Sequence, residues 1–251
     1  MPEQSTSATN CDCALKGHAL CLDVDGTILD IASTPDAVEV PRWMVPLLRD
    51  LHRQLDGAVA FVSGRNIADI DRLFAPLQLP AVGVHGGEIR TPDGRLTYDD
   101  ALCAALAAAL PFLDVAIRSL PGVLLEDKRR AIALHYRNVP ERGREVLRLA
   151  ELALAQIGSD FSIIVGKCVV EIRPRHLTKG RGIEQLMQSP PFLGRTPIFA
   201  GDDVSDEDAF EAVNRMGGIS VRVGSPTRTA ATCQLSDPEQ LRRWLQEMAV
   251  G

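Results

Sequence analysis

The sequence lacks an excess of positive charge and lacks long apolar runs. Lys and Arg number 27 against 33 Asp and Glu, which gives a formal net charge of −6. This balance argues against a nucleic-acid-binding protein, which typically carries a basic patch or stripe. No apolar segment approaches the roughly 20 residues of a membrane-spanning helix, and the stretch MPEQSTSATN lacks the apolar region of a signal peptide. We therefore expect neither a nucleic-acid partner nor a membrane partner.

The sequence also lacks paired cysteines of the CxxC type. Its 6 cysteines are scattered, and Cys21 and Cys168 lie in apolar runs, where a free thiol behaves as a small hydrophobe. Cys11 and Cys13, with His18 nearby, have no second half of the kind that a zinc site needs. We therefore expect no zinc site, and a reducing cytoplasm as the compartment.

Length and composition indicate a globular protein with room for two structural units. The chain has 251 residues, of which 45% are hydrophobic and 24% charged, as is ordinary for a soluble protein. This length accommodates a full α/β domain and a smaller second domain. Nothing in the sequence fixes the oligomeric state, and we expect a monomer.

Three short apolar runs end in polar residues. They are ALCL before DVDGT (Asp23–Thr27), AVAFV before SGR (Ser63–Arg65) and PIFA before GDD (Gly201–Asp203). Each run is typical of a strand buried on both faces, and the helical patterns between them predict a parallel sheet. Ligands of open α/β sheets lie beyond the carboxyl ends of the strands. We therefore expect these residues to meet, together with Lys179 at the start of a helix that Thr178 can cap.

Four aspartates would converge at this site. Asp23, Asp25, Asp202 and Asp203 would repel one another unless a cation lay between them. Carboxylates and waters are ligands that Mg²⁺ prefers, especially where the ion is shared with a phosphate. The charge pattern therefore predicts a magnesium site.

The motifs DVDGT, FVSGR, TKGRG and GDDVSDED, in this order, resemble the signature of the haloacid dehalogenase-like phosphatases. The resemblance covers most of the chain. It implies an α/β fold with a Rossmann-like, doubly wound parallel-sheet core. It also implies hydrolysis of a phosphate ester through an aspartyl-phosphate intermediate.

Roles for the site residues follow from this resemblance. Asp23 would be the nucleophile and Asp25 the general acid and base. Ser63 and Lys179 would neutralise charge on the phosphoryl oxygens. The metal ligands would be Asp23, Asp25 and Asp202, with Asp203 and Asp206 as outer groups that orient the metal waters and Lys179.

A second unit interrupts the alternation of strands and helices. Two hairpin patterns, at 122–137 and 161–172, flank an amphipathic helix. We therefore predict an inserted α+β domain over 105–173, which resembles the cap of the sugar-phosphatase branch of the family. The catalytic core would comprise 14–104 and 174–251, and 1–13 would be a flexible N-terminus.

Local patterns give finer expectations. The segment 99–113 reads as one Ala- and Leu-rich helix that follows a turn at Asp93-Gly94. Ser205 is expected to cap the helix after Asp203, with Asp208 at the capping-box position.

Charged pairs in the inserted domain narrow the resemblance to the trehalose-6-phosphate phosphatases. EDK…HYR and KxxxE resemble the sugar-binding set of that family. The resemblance implies Glu126, Lys128, Lys167 and Glu171 as disaccharide ligands, and assigns no role to Glu88. The remaining substrate-binding residues would be Arg65, His135 and Arg137.

Other functions remain open from the residues. The same core would serve a phosphatase of sucrose 6-phosphate or of glucosyl-3-phosphoglycerate, and only the cap pairs discriminate between them. A phosphomutase would use the same aspartyl-phosphate but return the phosphoryl group to a sugar. A sugar-phosphate-binding regulatory module is a non-enzymatic alternative, although such modules usually lack the nucleophile or the metal aspartate, and both Asp23 and Asp202 are present.

Overall fold

The computed structural model of the protein describes residues 16–32, 37–225 and 228–250. The predicted flexible segment 1–13, with Cys11 and Cys13, lies outside the described residues. No helix within the described ranges has the length and apolar character needed to cross a membrane.

The described residues form twelve strands and eight α-helices. The strands are β1 (His18–Leu22), β2 (Val59–Val62), β3 (Ala81–Gly83), β4 (Glu88–Arg90), β5 (Leu96–Tyr98), β6 (Leu124–Asp127), β7 (Ile132–His135), β8 (Phe161–Gly166), β9 (Val169–Pro174), β10 (Thr196–Gly201), β11 (Ile219–Val223) and β12 (Cys233–Leu235). The helices are α1 (Met44–Gln54), α2 (Ile67–Phe74), α3 (Cys103–Ala107), α4 (Leu110–Ile117), α5 (Gly143–Ile157), α6 (Lys179–Leu186), α7 (Glu207–Arg215) and α8 (Pro238–Val250).

The main sheet has eight strands in the order β12-β11-β10-β1-β2-β3-β4-β5. The strands from β12 to β3 run parallel, and β4 and β5 add an antiparallel edge. The predicted central strand is confirmed, because β1 pairs with β10 on one side and β2 on the other, and Ala19, Leu20, Cys21 and Leu22 are fully buried. Burial on both faces explains why this run is apolar throughout rather than alternating.

The order of the strands fixes where a site can form. From β1 the chain proceeds outward through β2 and β3, and it later returns to the other side of β1 through β10, β11 and β12. The connections after β1 and β10 therefore diverge, which leaves a crevice at the carboxyl ends of these two strands. Asp23 follows β1 and Asp202 follows β10, so both carboxylates stand at this crevice.

Two local expectations were wrong or incomplete. The segment 99–113 forms two helices, α3 and α4, rather than one, and Pro111 lies in the first turn of α4. Proline is tolerated there because that N–H has no helical partner, whereas inside one continuous helix it would remove a hydrogen bond. The turn at Asp93-Gly94 joins β4 to β5, two three-residue strands too short to show periodicity.

A second sheet is antiparallel, with the order β6-β7-β9-β8. Its residues share a separate hydrophobic core with α3, α4 and α5, in which Leu113, Val146 and Ile172 are fully buried. The main sheet has its own larger core, which includes the stacked rings of Phe61 and Phe74. The structure thus contains a largely parallel sheet and a separate four-stranded cap sheet, as expected from the sequence.

Candidate active site

Asp23 lies at the carboxyl end of β1, where the chain turns, and is 4% exposed. One carboxylate oxygen accepts a hydrogen bond from the Thr27 hydroxyl at 2.9 Å, and the other accepts from the Lys179 ammonium at 2.7 Å. Gly26 has a φ of +80°, and a Cβ at this position would lie 2.2 Å from a carboxylate oxygen of Asp202. The glycine of DVDGT is therefore required both by the turn and by the close approach of Asp202.

Three buried carboxylates form a candidate metal centre. Asp23, Asp202 and Asp206 offer oxygens that all lie within 4.8 Å of one another. Burial and the neighbouring carboxylates raise the pKa of Asp23 well above its usual range despite Lys179, and burial raises that of Asp202. These three carboxylates contact two lysines, Lys167 and Lys179, so their negative charge is only partly compensated. Because all the donors are hard oxygens, a divalent cation such as Mg²⁺ fits the group.

Asp206 connects Lys179 to the loop that carries Asp202 and Asp203. Its carboxylate accepts from Lys179 at 2.6 Å and from the backbone N–H groups of Asp202 and Asp203 at 2.9 Å each. Burial alone would lower the pKa of Lys179, but the carboxylates of Asp206 and Asp23 raise it. Lys179 therefore remains an ammonium that holds two carboxylates in place.

The turn after β10 begins at a different residue from the one predicted. Asp203 is the N-cap of a short 3-10 turn and forms a capping box with Asp206, so the expected Ser205–Asp208 box is wrong. Asp208 instead accepts the backbone N–H of Gly180 at 2.9 Å. The motif GDDVSDED contains two residue pairs at capping-box spacing, Asp203–Asp206 and Ser205–Asp208. Asp206 and Asp208 both contact α6, and these contacts decide which pair forms the box. The predicted cap at Thr178 is confirmed, since its hydroxyl accepts from the N–H of Arg181 at 3.1 Å.

Asp25 points to Arg65 in the loop after β2. The guanidinium donates to both oxygens of Asp25, at 2.6 and 2.8 Å, and the backbone N–H of Arg65 donates to the hydroxyl of the buried Ser63 at 3.1 Å. The Asp25 carboxylate thus takes part in an ion pair rather than in the group formed by Asp23, Asp202 and Asp206.

Charged residues of the cap form a connected set opposite the core aspartates. Glu126 accepts from His135 at 2.7 Å, and Lys128 donates to Glu171 at 2.5 Å. The Lys128 ammonium also donates to the backbone carbonyl of Gly64 in the core at 3.2 Å. Burial would raise the pKa of Glu171, but Lys128 and a neighbouring histidine hold it well below its usual range. The carboxylate is therefore ionised and able to accept hydroxyl donors.

The turn between β8 and β9 reaches across to the core. Lys167 forms an ion pair with Asp202. Arg137 donates to the backbone carbonyl of Ala32 and, at 3.1 Å, to that of Lys167. The cap is therefore in direct contact with Asp202 and Ala32 of the core.

A single cleft brings together the predicted site residues except Asp206, which is fully buried and does not line it. Its volume is about 170 Å³, comparable to a cavity that holds benzene, about 150 Å³. The lining includes every residue predicted to act in catalysis, metal binding or sugar binding: Asp23, Asp25, Ser63, Arg65, Glu126, Lys128, His135, Arg137, Lys167, Glu171, Lys179, Asp202 and Asp203.

Sequence reasoning assigned no role to two buried residues of the HGGE segment. His85 lines the cleft and contacts Glu171 at 2.6 Å. Glu88 accepts from the backbone N–H of Ile67 at 2.8 Å and from Arg130 at 3.0 Å, so it links the start of α2 to the turn between β6 and β7. The only local signal for either role is the placement of the motif just after a buried strand.

Comparison with known proteins identifies the family. A sequence model described as trehalose-phosphatase matches residues 21–239. The chain belongs to this family. It is 43% identical over 249 residues to a probable trehalose-phosphate phosphatase of Sinorhizobium fredii, covering 99% of this chain and 93% of the relative. It is 40% identical over 230 residues to the trehalose-6-phosphate phosphatase of Escherichia coli, covering 91% of this chain and 85% of the relative.

Solved structures of this family and beyond share the fold. The C-terminal domain of the C. albicans trehalose-6-phosphate phosphatase superposes with a TM-score of 0.79 at 21% identity, covering 93% of this chain and 92% of that one. The sucrose-phosphatase of Synechocystis superposes with a TM-score of 0.59 at 16% identity, covering 92% and 98%. The fold alone therefore does not distinguish between disaccharide phosphates.

Proposed function

We propose that this chain is a Mg²⁺-dependent phosphatase that hydrolyses trehalose 6-phosphate to trehalose and phosphate. The observation that carries the proposal is the position of Asp23. Its carboxylate stands between Lys179 and two further carboxylates, beneath a cleft whose opposite wall carries Glu126, Lys128 and Glu171. A phosphate at the aspartates would leave its sugar facing the hydrogen-bonding groups of the cap.

In the first half-reaction, a carboxylate oxygen of Asp23 attacks phosphorus. The bond from phosphorus to Asp23 forms as the bond from phosphorus to the sugar oxygen breaks. Asp25 gives a proton to the departing oxygen, which leaves as a hydroxyl of trehalose. In the second half-reaction Asp25 takes a proton from water, and the water oxygen displaces Asp23 and releases phosphate.

The remaining residues stabilise charge and bind. Lys179 and the hydroxyl of Ser63 act on the phosphoryl oxygens, where negative charge has to be balanced. Mg²⁺ would be held by Asp23 and Asp202, and, when bound, would supply further positive charge at the phosphoryl group. Asp203 and Asp206 would fix the loop that presents Asp202, and Asp25 would contribute to the ion's surroundings.

The sugar would be bound mainly by the cap. Glu126 and Glu171 accept from hydroxyl groups, and Lys128 and Lys167 donate to hydroxyl oxygens. Arg65, His135 and Arg137 would complete the walls. We also propose that 14–104 and 174–251 form the catalytic core and 105–173 the cap, in an enzyme that acts as a cytoplasmic monomer.

The test is phosphate release from a panel of sugar phosphates by the purified protein with Mg²⁺. The panel contains trehalose 6-phosphate, sucrose 6-phosphate, glucosyl-3-phosphoglycerate and glucose 6-phosphate. We expect kcat/KM for trehalose 6-phosphate to exceed the others by at least about tenfold, the effect of roughly 1.4 kcal/mol of binding. An Asp23→Asn preparation controls for contaminating phosphatases. A higher value for another sugar phosphate, or a need for a sugar bisphosphate, would contradict the proposal.

A further inference from the structure

The chain after β3 places a histidine in an unusual backbone conformation. β3 ends at Gly83, and the following 3-10 turn holds Val84 at a φ of +46° and His85 at +52°. For residues other than glycine, this left-handed region is uncommon and persists only where surrounding structure imposes it. His85 is 3% exposed, so its ring is enclosed rather than in solvent.

Gly64 makes room for the ring. A Cβ at Gly64 would lie 2.6 Å from Nε2 of His85, so any larger residue there would displace the ring. The glycine of the SGR segment therefore serves the placement of His85, as well as the loop that carries Ser63 and Arg65. The left-handed conformation of His85 and the absence of a side chain at Gly64 thus both help to place the imidazole.

The imidazole contacts a carboxylate of the cap. Nε2 of His85 lies 2.6 Å from a carboxylate oxygen of Glu171, on β9. Burial lowers the pKa of His85, and the charge of Glu171 offsets this shift only in part. Since Glu171 is ionised and can only accept, the neutral ring donates from Nε2, and its buried Nδ1 has no hydrogen-bond partner.

The second oxygen of Glu171 is held from the other side. It accepts from Lys128, which also donates to the backbone carbonyl of Gly64. Glu171 is thereby fixed between a donor from the core and a donor from the cap. Each of its oxygens has one remaining lone pair, and the residue lines the cleft. The direction in which those lone pairs point is therefore fixed before any substrate arrives.

We propose that His85 is a positioning residue that sets the direction of the Glu171 carboxylate and so fixes how the cleft orients the sugar. Without the donor at Nε2, the carboxylate can rotate toward Lys128 and present its free lone pairs in other directions. Among the described residues, His85 forms no hydrogen bond with Asp23, Asp25 or Lys179, so it acts through Glu171 and not on the phosphate. The inference rests on the proposed function, because it concerns the sugar that Glu171 binds.

Two variants at His85 separate this role from a structural one. Gln places an amide N–H near the position of Nε2 and should retain the donor. Asn tolerates the left-handed conformation but its amide ends near the position of Nδ1, so it lacks that donor. We expect His85→Asn to lower kcat/KM for trehalose 6-phosphate by roughly tenfold to a hundredfold, the effect of one hydrogen bond to a charged group, mainly through KM. We expect His85→Gln to restore most of it.

Para-nitrophenyl phosphate serves as the second substrate, because it has no sugar to orient. Its kcat/KM should change little in His85→Asn. His52→Asn is the matched control, since His52 is another histidine with a buried, unpartnered Nδ1 but lies outside the cleft lining. It should affect neither substrate.

A double variant tests whether His85 acts through Glu171. His85→Asn combined with Glu171→Gln should be no worse on trehalose 6-phosphate than Glu171→Gln alone, because the coupled effects do not add. Additive losses, equal losses of both variants on both substrates, or no loss in His85→Asn would overturn the proposal. Should His85→Asn not fold, a loss of sugar-phosphate activity in His85→Gln equal to its loss on para-nitrophenyl phosphate would overturn it, and retention would support it.

Failure of the proposed function is distinguishable from failure of this inference. Wild-type protein that prefers another sugar phosphate of the panel contradicts the proposed function. The same variants are then compared on that preferred substrate and on para-nitrophenyl phosphate, with the same outcomes deciding on His85.

Discussion

Arg65 and Asp25 form a two-point ion pair across the loops that follow β2 and β1. Nε of Arg65 donates to Oδ2 of Asp25 at 2.6 Å, and Nη2 donates to Oδ1 at 2.8 Å. The Asp25 side chain is 34% exposed and Arg65 only 9%, so a buried guanidinium presents the carboxylate to the cleft. Each oxygen keeps a lone pair for a proton, and the fork fixes the direction of both.

Replacement of Arg65 by Lys should therefore slow proton transfer. Lys keeps the charge but cannot form both hydrogen bonds. We expect kcat for trehalose 6-phosphate to fall by about tenfold to a hundredfold, part of the roughly 10²–10⁴ that a positioned acid or base supplies. The loss should be smaller on para-nitrophenyl phosphate, whose leaving group departs readily as an anion.

The chain offers a matched control. Arg90 also forms a two-point pair, through Nη1 and Nη2, with Asp71 at 2.6 and 2.7 Å, outside the cleft. Arg90→Lys should lower the melting temperature and leave kcat unchanged. Equal effects of the two variants on kcat would show that Arg65 supports only the fold.

Asp23→Asn should abolish turnover and preserve the fold. Asn has the same shape but is not a nucleophile, while Asp206 continues to hold Lys179 at 2.6 Å. Phosphate release and circular dichroism, measured on one preparation, check both parts. Substantial residual activity in folded Asp23→Asn would rule out the covalent mechanism.

Removal of divalent metal should abolish activity, and Mg²⁺ should restore it. The charge of Asp23, Asp202 and Asp206 is only partly compensated, so an ion that binds the folded state should also raise the melting temperature. We expect this thermal shift to disappear in Asp202→Asn and to persist in Asp114→Asn, an exposed carboxylate on α4. Full activity in the presence of EDTA would contradict a metal requirement.

Glu126→Ala should weaken binding of the sugar without affecting the reaction at the phosphate. Glu126 lines the cleft from β6 and would bind a sugar hydroxyl remote from phosphorus. Loss of a hydrogen bond to a charged group should lower kcat/KM for trehalose 6-phosphate by roughly tenfold to a hundredfold, with little change for para-nitrophenyl phosphate. Glu145→Ala, an exposed carboxylate on α5 of the cap, is the control. Equal losses on both substrates would mean that Glu126 supports the fold.

His85 should make the folded protein sensitive to acid. Burial lowers its pKa below the ordinary 6.5, Glu171 raises it in part, and Arg173 and Lys179 lower it further. In the unfolded chain His85 therefore binds a proton near pH 6.5, whereas in the folded protein its ring stays neutral until a lower pH is reached. Stability from the neutral ring is complete above that pH and is lost as the pH falls toward the folded pKa.

Denaturant unfolding of the wild type and His85→Gln checks this sign. Between about pH 7.5 and about pH 5.5, on either side of the ordinary histidine pKa, the free energy of unfolding should fall more in the wild type. An equal fall in both proteins would show that His85 does not contribute.

The sequence by itself determined where the chemistry lies. An apolar run long enough for a strand and followed at once by Asp23 and Asp25 can only place those carboxylates at the carboxyl end of a sheet strand. The same reasoning located Ser63 and Asp202, and Thr178 identified the start of α6 through the local geometry of a helix cap. The apolar run of a buried strand and the side chain that caps α6 are both patterns of adjacent residues, so the sequence reveals them.

The tertiary structure decided which side chains form hydrogen bonds and ion pairs with each other. Asp206 rather than Ser205 and Asp208 completes the cap after β10, because Lys179 reaches it from another helix. His85 and Glu171 are 86 positions apart, and their contact requires two sheets to meet at one cleft. No local pattern encodes such a pairing. It is stabilised because the buried ring and the buried carboxylate hydrogen-bond to each other at a place with little access to water.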